Sequence, residues 1–125
     1  MASKHSDAFV RLVEDALLRV EEIDADTLKS WIDSGKSFTL IDTREAHEVE
    51  QGHLPNALHL SKGVIERDIE KEVPNRNQPL VLYCGGGYRS ALAADNLQKM
   101  GYTDVYSLKG GWRIWSQRSF PVEGD

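Results

Sequence analysis

The chain has one cysteine, Cys84. A single cysteine forms no internal disulfide and builds no structural zinc site by itself. His5, His47, His53 and His59 show no ligand-type spacing with it or with one another, so neither a metal nor a cofactor is expected. Long apolar runs are also missing, which excludes a bilayer span and a membrane partner. There is no excess of positive charge: the formal net charge is −5. That balance argues against a nucleic-acid partner, because binding a phosphate backbone needs a basic face. The first residues, Met1 to Asp7, lack the basic segment and apolar core of a secretory signal, so the expected address is cytoplasmic.

The 125 residues suit one hydrophobic core, and a content of 40% hydrophobic and 28% charged residues is ordinary for a globular domain. Phe9, Leu12, Val13, Ala16, Leu17 and Val20 recur at helical spacing, which predicts an amphipathic helix over 7–19. A short strand is expected near 20–23, then a helix capped by Asp24 and stopped at Gly35. Further strands are expected at 38–41, 57–60, 80–83 and 105–108, with helices over 45–50, 62–72 and 90–100. A last helix carries Trp112 and Trp115. Strands alternating with helices imply an α/β fold, its parallel sheet covered on both faces. The expected organisation is an amphipathic extension over 1–19 and one domain over 20–125.

The strongest chemical signal runs from Leu80 to Ala91, a buried strand leading through Cys84-Gly85-Gly86-Gly87-Tyr88-Arg89-Ser90 into a helix. Sites in open α/β sheets form beyond the carboxyl ends of strands. Three glycines are expected to adopt unusual dihedrals and turn backbone N–H groups inward, making an anion-binding nest at a helix N-terminus. A cysteine held there is favoured as thiolate, the nucleophilic form. Arg89 adds a fixed positive charge able to hold an oxyanion. The glycines match neither a P-loop nor a dinucleotide fingerprint. A cysteine phosphatase uses the same layout with one residue more between cysteine and arginine. Here four residues intervene, and the tighter ring suits a terminal sulfur better than a phosphate.

These residues resemble the rhodanese family from about Val20 to Val122. The loop Cys84 to Ser90 resembles that of single-domain members. Leu40 to Glu45, with Glu48 and Gly52-His53-Leu54-Pro55-Asn56-Ala57, resembles the first family signature. Gly101-Tyr102 through Gly110-Gly111-Trp112 to Pro121-Val122 resembles the C-terminal one. The resemblance implies a central parallel five-stranded sheet flanked by helices, and transfer of sulfane sulfur in two halves. Cys84 would take the outer sulfur of a small anionic donor such as thiosulfate. A thiophilic acceptor, cyanide or a protein thiol, would then remove it. Gly85, Gly86, Gly87, Tyr88 and Ser90 would steady the terminal sulfur, and Arg89 would draw in the donor and stabilise departing sulfite. Asn56 replaces the usual glycine of the histidine-proline turn, and asparagine readily adopts the left-handed geometry.

Asp42 and Arg44 stand at the end of a strand, where they either shape the pocket or form a structural ion pair; the ion pair is favoured. His53 is expected to support the fold rather than exchange protons. Tyr88 faces the pocket mouth or is incidentally exposed. The first helix is expected to pack on its own domain, and a monomer or weak homodimer is expected. With no second cysteine, the sulfur acceptor must come from outside the chain. A persulfide carrier or sensor with slow turnover is the alternative to an enzyme, and a phosphatase or arsenate reductase is disfavoured by the loop count.

Overall fold

The computed structural model describes residues 5–124. The outer ends of the two expected spans, residues 1–4 and 125, lie outside the described residues. Five strands form one all-parallel sheet: β1 (Glu21–Ile23), β2 (Thr39–Asp42), β3 (Leu58–His59), β4 (Leu80–Tyr83) and β5 (Val105–Leu108). Their order is β1-β5-β4-β2-β3. The helices are α1 (Asp7–Leu17), α2 (Ala25–Asp33), α3 (Ala46–Val49), α4 (Ile65–Glu72), α5 (Tyr88–Lys99) and α6 (Gly111–Gln117).

β4 has a partner on each side, with Leu82 opposite Ile41 of β2 and Ser107 of β5. All four of its residues are buried, which explains why it reads as a continuous apolar run. Leu80 and Leu82 enter one core with Ile65, Ile69 and Leu97. Val81 and Tyr83 enter the other with Leu28, Leu108 and Trp115. Alternating side chains thus put α4 and α5 on one face and α2 and α6 on the other.

Local signals act where they stand. The Asp24 carboxylate accepts the Thr27 N–H at 2.8 Å, capping α2 as expected. Asn56 does adopt a positive φ, 61°. Several boundaries move. α5 begins at Tyr88 rather than at residue 90, because Gly87 is its left-handed cap. β3 keeps only Leu58 and His59, as befits an edge strand. α1 ends at Leu17 and lies along α5. Val13 and Ala16 are buried there, and Arg19 forks onto Asp95 at 2.9 and 2.8 Å.

Candidate active site at the end of β4

Cys84 follows β4 directly and is 1% exposed. Its Sγ accepts the Gly87 N–H at 3.1 Å and the Ser90 N–H at 3.4 Å. The Ser90 hydroxyl lies 3.5 Å away. The N–H groups of Gly85, Gly86, Tyr88 and Arg89 have no acceptor among the described residues. Beneath the sulfur, the buried hydroxyls of Ser90 and Ser107 are 2.8 Å apart. Ser107 comes from β5 and was not singled out in the sequence. Its signal there is faint: one small polar residue inside an apolar strand.

The three loop glycines are not equivalent, which corrects the expectation for the triplet. Only Gly87 has a positive φ, +100°. A Cβ on Gly87 would also stand 3.3 Å from the Gly110 nitrogen. A Cβ on Gly85 would come within 3.0 Å of the Arg89 guanidinium, whereas one on Gly86 would meet nothing within 4 Å. The tightest approach of a glycine to backbone is elsewhere. A Cβ on Gly111 would sit 2.2 Å from the Cys84 carbonyl oxygen. That closeness lets α6 hold the loop: Trp112 N–H donates to the Cys84 carbonyl at 2.8 Å and Arg113 N–H to the Gly85 carbonyl at 3.0 Å.

Arg89 lines the site but is not a free charge. Its two terminal nitrogens donate to both oxygens of Glu48, at 2.8 and 3.0 Å. The same carboxylate accepts the Glu45 N–H at 2.9 Å. Hydrogen bonding from Arg89, opposed by burial, brings the Glu48 pKa down to about 2. Glu48 belongs to α3, forty-one positions away in sequence, and only its place in the family signature marks it beforehand.

Asp42 and Arg44 form a buried brace. The Arg44 guanidinium donates to Asp42 at 2.9 Å and to the Gly52 carbonyl at 2.7 Å. The Tyr83 hydroxyl donates to Asp42 at 2.5 Å and accepts the Leu54 N–H at 3.0 Å. Burial first, and then the Asp42 charge, hold the Tyr83 phenol firmly in its neutral form. Neither member of the pair lines the cleft at Cys84. His53 also serves the fold: its Nδ1 is 2.8 Å from the Leu54 carbonyl, and its backbone exchanges hydrogen bonds with Glu123.

An open cleft of about 650 Å³ leads to Cys84 and is bordered by Gly85, Gly86 and Arg89. Tyr88 stands at its mouth. His5, just before α1, Phe9 of α1 and Arg113 of α6 also line it. None of these last three was singled out from the sequence as a site residue.

Residues 24–118 match the family profile of the rhodanese-like domain. The chain belongs to the rhodanese-like domain family. It is 33% identical over 103 residues to a sulfurtransferase of Allochromatium vinosum, covering 82% of this chain and 94% of that protein. It is 30% identical over 100 residues to the "Putative sulfur carrier protein YrkF" of Bacillus subtilis, covering 80% of this chain. The match takes in about half of that relative, 53%. Among solved structures, one from Rhodopseudomonas palustris superposes with a TM-score of 0.83 at 26% identity. It covers 98% of this chain and 99% of that one, and is described as a protein of unknown function and possible tyrosine phosphatase. This rhodanese-like domain therefore has both sulfurtransferase and sulfur-carrier relatives.

Proposed function

We propose that this rhodanese-like domain is a sulfurtransferase that carries sulfane sulfur on Cys84. The observation that carries the reading is the hydrogen-bonded sulfur of Cys84, held by two N–H groups at the head of a cleft. In the first half-reaction the Cys84 thiolate attacks the outer sulfur of an anionic donor such as thiosulfate. A new S–S bond forms, the bond from that sulfur to the sulfonyl group breaks, and its electron pair leaves with sulfite. In the second half a thiolate acceptor, or cyanide, takes the terminal sulfur and restores the Cys84 thiolate. Each step is a displacement at sulfur, so one difficult transfer becomes two easier ones.

Gly87, Ser90 and the remaining unpaired N–H groups of the loop steady the extra negative sulfur, as an oxyanion hole steadies oxygen. Gly85 and Gly86 keep the approach narrow in side chains, and Tyr88 borders it. Arg89, held by Glu48, gives the rim direction more than free charge. Asp42 and Arg44 act at a distance by fixing the end of β2 beside the loop. A lone reduced thiol suits the cytoplasm, and among the described residues no helix is long and apolar enough to cross a membrane.

Incubation with thiosulfate followed by intact-mass measurement should add one sulfur to the wild type and none to Cys84→Ser. Absence of the adduct with every sulfane donor tried would remove the reading. A persulfide carrier with slow turnover is a second reading, favoured by the single cysteine and by the sulfur-carrier relative. Stable loading, poor turnover with cyanide and rapid transfer to one protein thiol would select it. Hydrolysis of a generic phosphate ester, lost in Cys84→Ser, would instead favour phosphatase chemistry.

A further inference from the structure

Two hydroxyls beneath the Cys84 sulfur are satisfied only by each other and by the sulfur. Ser107 of β5 is fully buried and points to the same face as Val105, into the core under α5. Its hydroxyl has one partner among the described residues, the Ser90 hydroxyl at 2.8 Å. The Ser90 hydroxyl, equally buried, has two: Ser107 and the Cys84 sulfur at 3.5 Å. A hydroxyl is costly to bury unless it is hydrogen-bonded. A lone serine in a strand whose other residues are Val105, Tyr106 and Leu108 therefore calls for a reason.

Counting protons supplies one. Each hydroxyl has a single proton to donate. When Ser107 donates to Ser90 and Ser90 donates to sulfur, both protons are placed and the row ends on an acceptor. A thiol brings a third proton. If its S–H donates to Ser90, the row reverses and the Ser107 proton has no acceptor among the described residues. If the row keeps its direction, the S–H has none. The row is complete only when the sulfur carries no proton. A thiolate meets that condition, and so does the inner sulfur of a persulfide.

We infer that Ser107 is a positioning residue for sulfur transfer: acting through Ser90, its hydroxyl keeps a donor on the Cys84 sulfur and disfavours the protonated thiol. The inference rests on Cys84 as the sulfur carrier. A hydroxyl that itself accepts a hydrogen bond donates more strongly, so Ser107 influences the sulfur without touching it. Ionisation sends the thiol proton to solvent through the cleft, and both hydroxyls keep theirs. Discharge of the persulfide then returns the sulfur to a row already set for the thiolate. The next donor meets a nucleophile with no proton to remove.

The test is the pH profile of Cys84 alkylation by iodoacetamide, followed by intact mass on the full chain. Ser90→Ala should move its midpoint up by about one pH unit, the loss of one hydrogen bond. Ser107→Ala should move it up by about 0.5 unit, a roughly threefold loss of rate below the midpoint. In the Ser90→Ala background, Ser107→Ala should add nothing. The charged and titratable side chains that line the cleft with Cys84 are Arg89, Arg113, His5 and Tyr88, with Glu48 behind Arg89. All of them stay in place in these variants. Ser107→Thr and Ser107→Val, alike in shape, repeat the comparison if Ser107→Ala is poorly folded; only the valine should raise the midpoint. An unmoved midpoint without the Ser107 hydroxyl, or an equal shift with Ser90 already removed, overturns the inference. Failure of the wild type to take sulfur from any sulfane donor, with the alkylation shifts present, overturns the carrier reading alone.

Discussion

Two arginine–carboxylate pairs flank the carboxyl end of β4, and they differ in almost everything except chemistry. Arg44 and Asp42 are 3% and 0% exposed and are separated by one residue. Arg89 and Glu48 are 33% and 27% exposed and come from α5 and α3. The inner pair is enclosed by Tyr83, the Gly52 carbonyl and the ring of Trp112, 4.7 Å from the guanidinium. Arg89 of the outer pair lines the Cys84 cleft. Burial therefore divides the labour. A desolvated pair cannot lose one member without stranding the other, whereas a half-solvated pair can open and let water or a donor replace its partner.

Breaking the inner pair should produce the largest effect. Arg44→Met leaves Asp42 buried with an uncompensated charge and should cost about 3–5 kcal/mol, read as a lower urea midpoint. Next is the link between α6 and the loop. Gly111→Ala forces a methyl group against the Cys84 carbonyl and should cost about 1–3 kcal/mol, with much slower persulfide loading by mass. Opening the outer pair with Glu48→Gln should cost about 1 kcal/mol or less. Because it frees Arg89, it should also raise loading at low thiosulfate a few-fold.

The outer pair has a pH signature. The folded Glu48 pKa, about 2, lies below its ordinary value of 4.5. Its contribution is thus complete above the ordinary value and is lost as pH falls toward the folded one. The stability gap between wild type and Glu48→Gln should be constant near neutrality and close from about pH 5 to pH 2, followed by urea titration at each pH. The smallest effect is expected at Gly86, whose Cβ position is empty. Gly86→Ala should stay within about 0.5 kcal/mol of wild type, in contrast to Gly87→Ala, where φ is left-handed.

The same comparison marks how far the sequence could be read. Asp42 and Arg44 are near neighbours in the chain at the end of a strand, so their pairing is a local inference, and it holds. The succession from β4 through the glycines to α5 is local too. Asn56 and Asp24 behave as their side chains dictate. What escaped was assembled by the sheet order. Glu48 reaches Arg89, and Ser107 reaches Ser90, only because β4 lies between β2 and β5. His5 and Phe9 reach Tyr88 only because α1 lies along α5. Arg89 carries the same formal charge in either reading, but its partner decides whether that charge is available. The glycine triplet shows the opposite error: three identical letters suggested one shared role, yet steric demand separates Gly86 from Gly87.

The clasp between α6 and the Cys84 loop also bears on how the site comes into being during synthesis. Cys84 leaves the ribosome before Trp112 and Arg113, whose N–H groups hold the carbonyls of Cys84 and Gly85. Until α6 is made and docked, the thiol sits on a strand whose cradle is unfinished. A domain folds as a unit, so the cradle closes only once α6 is present, and until then the Cys84 thiol is less shielded than in the folded domain. Completion of α6 turns that vulnerable thiol into a sheltered one, and the timing of translation becomes part of its protection.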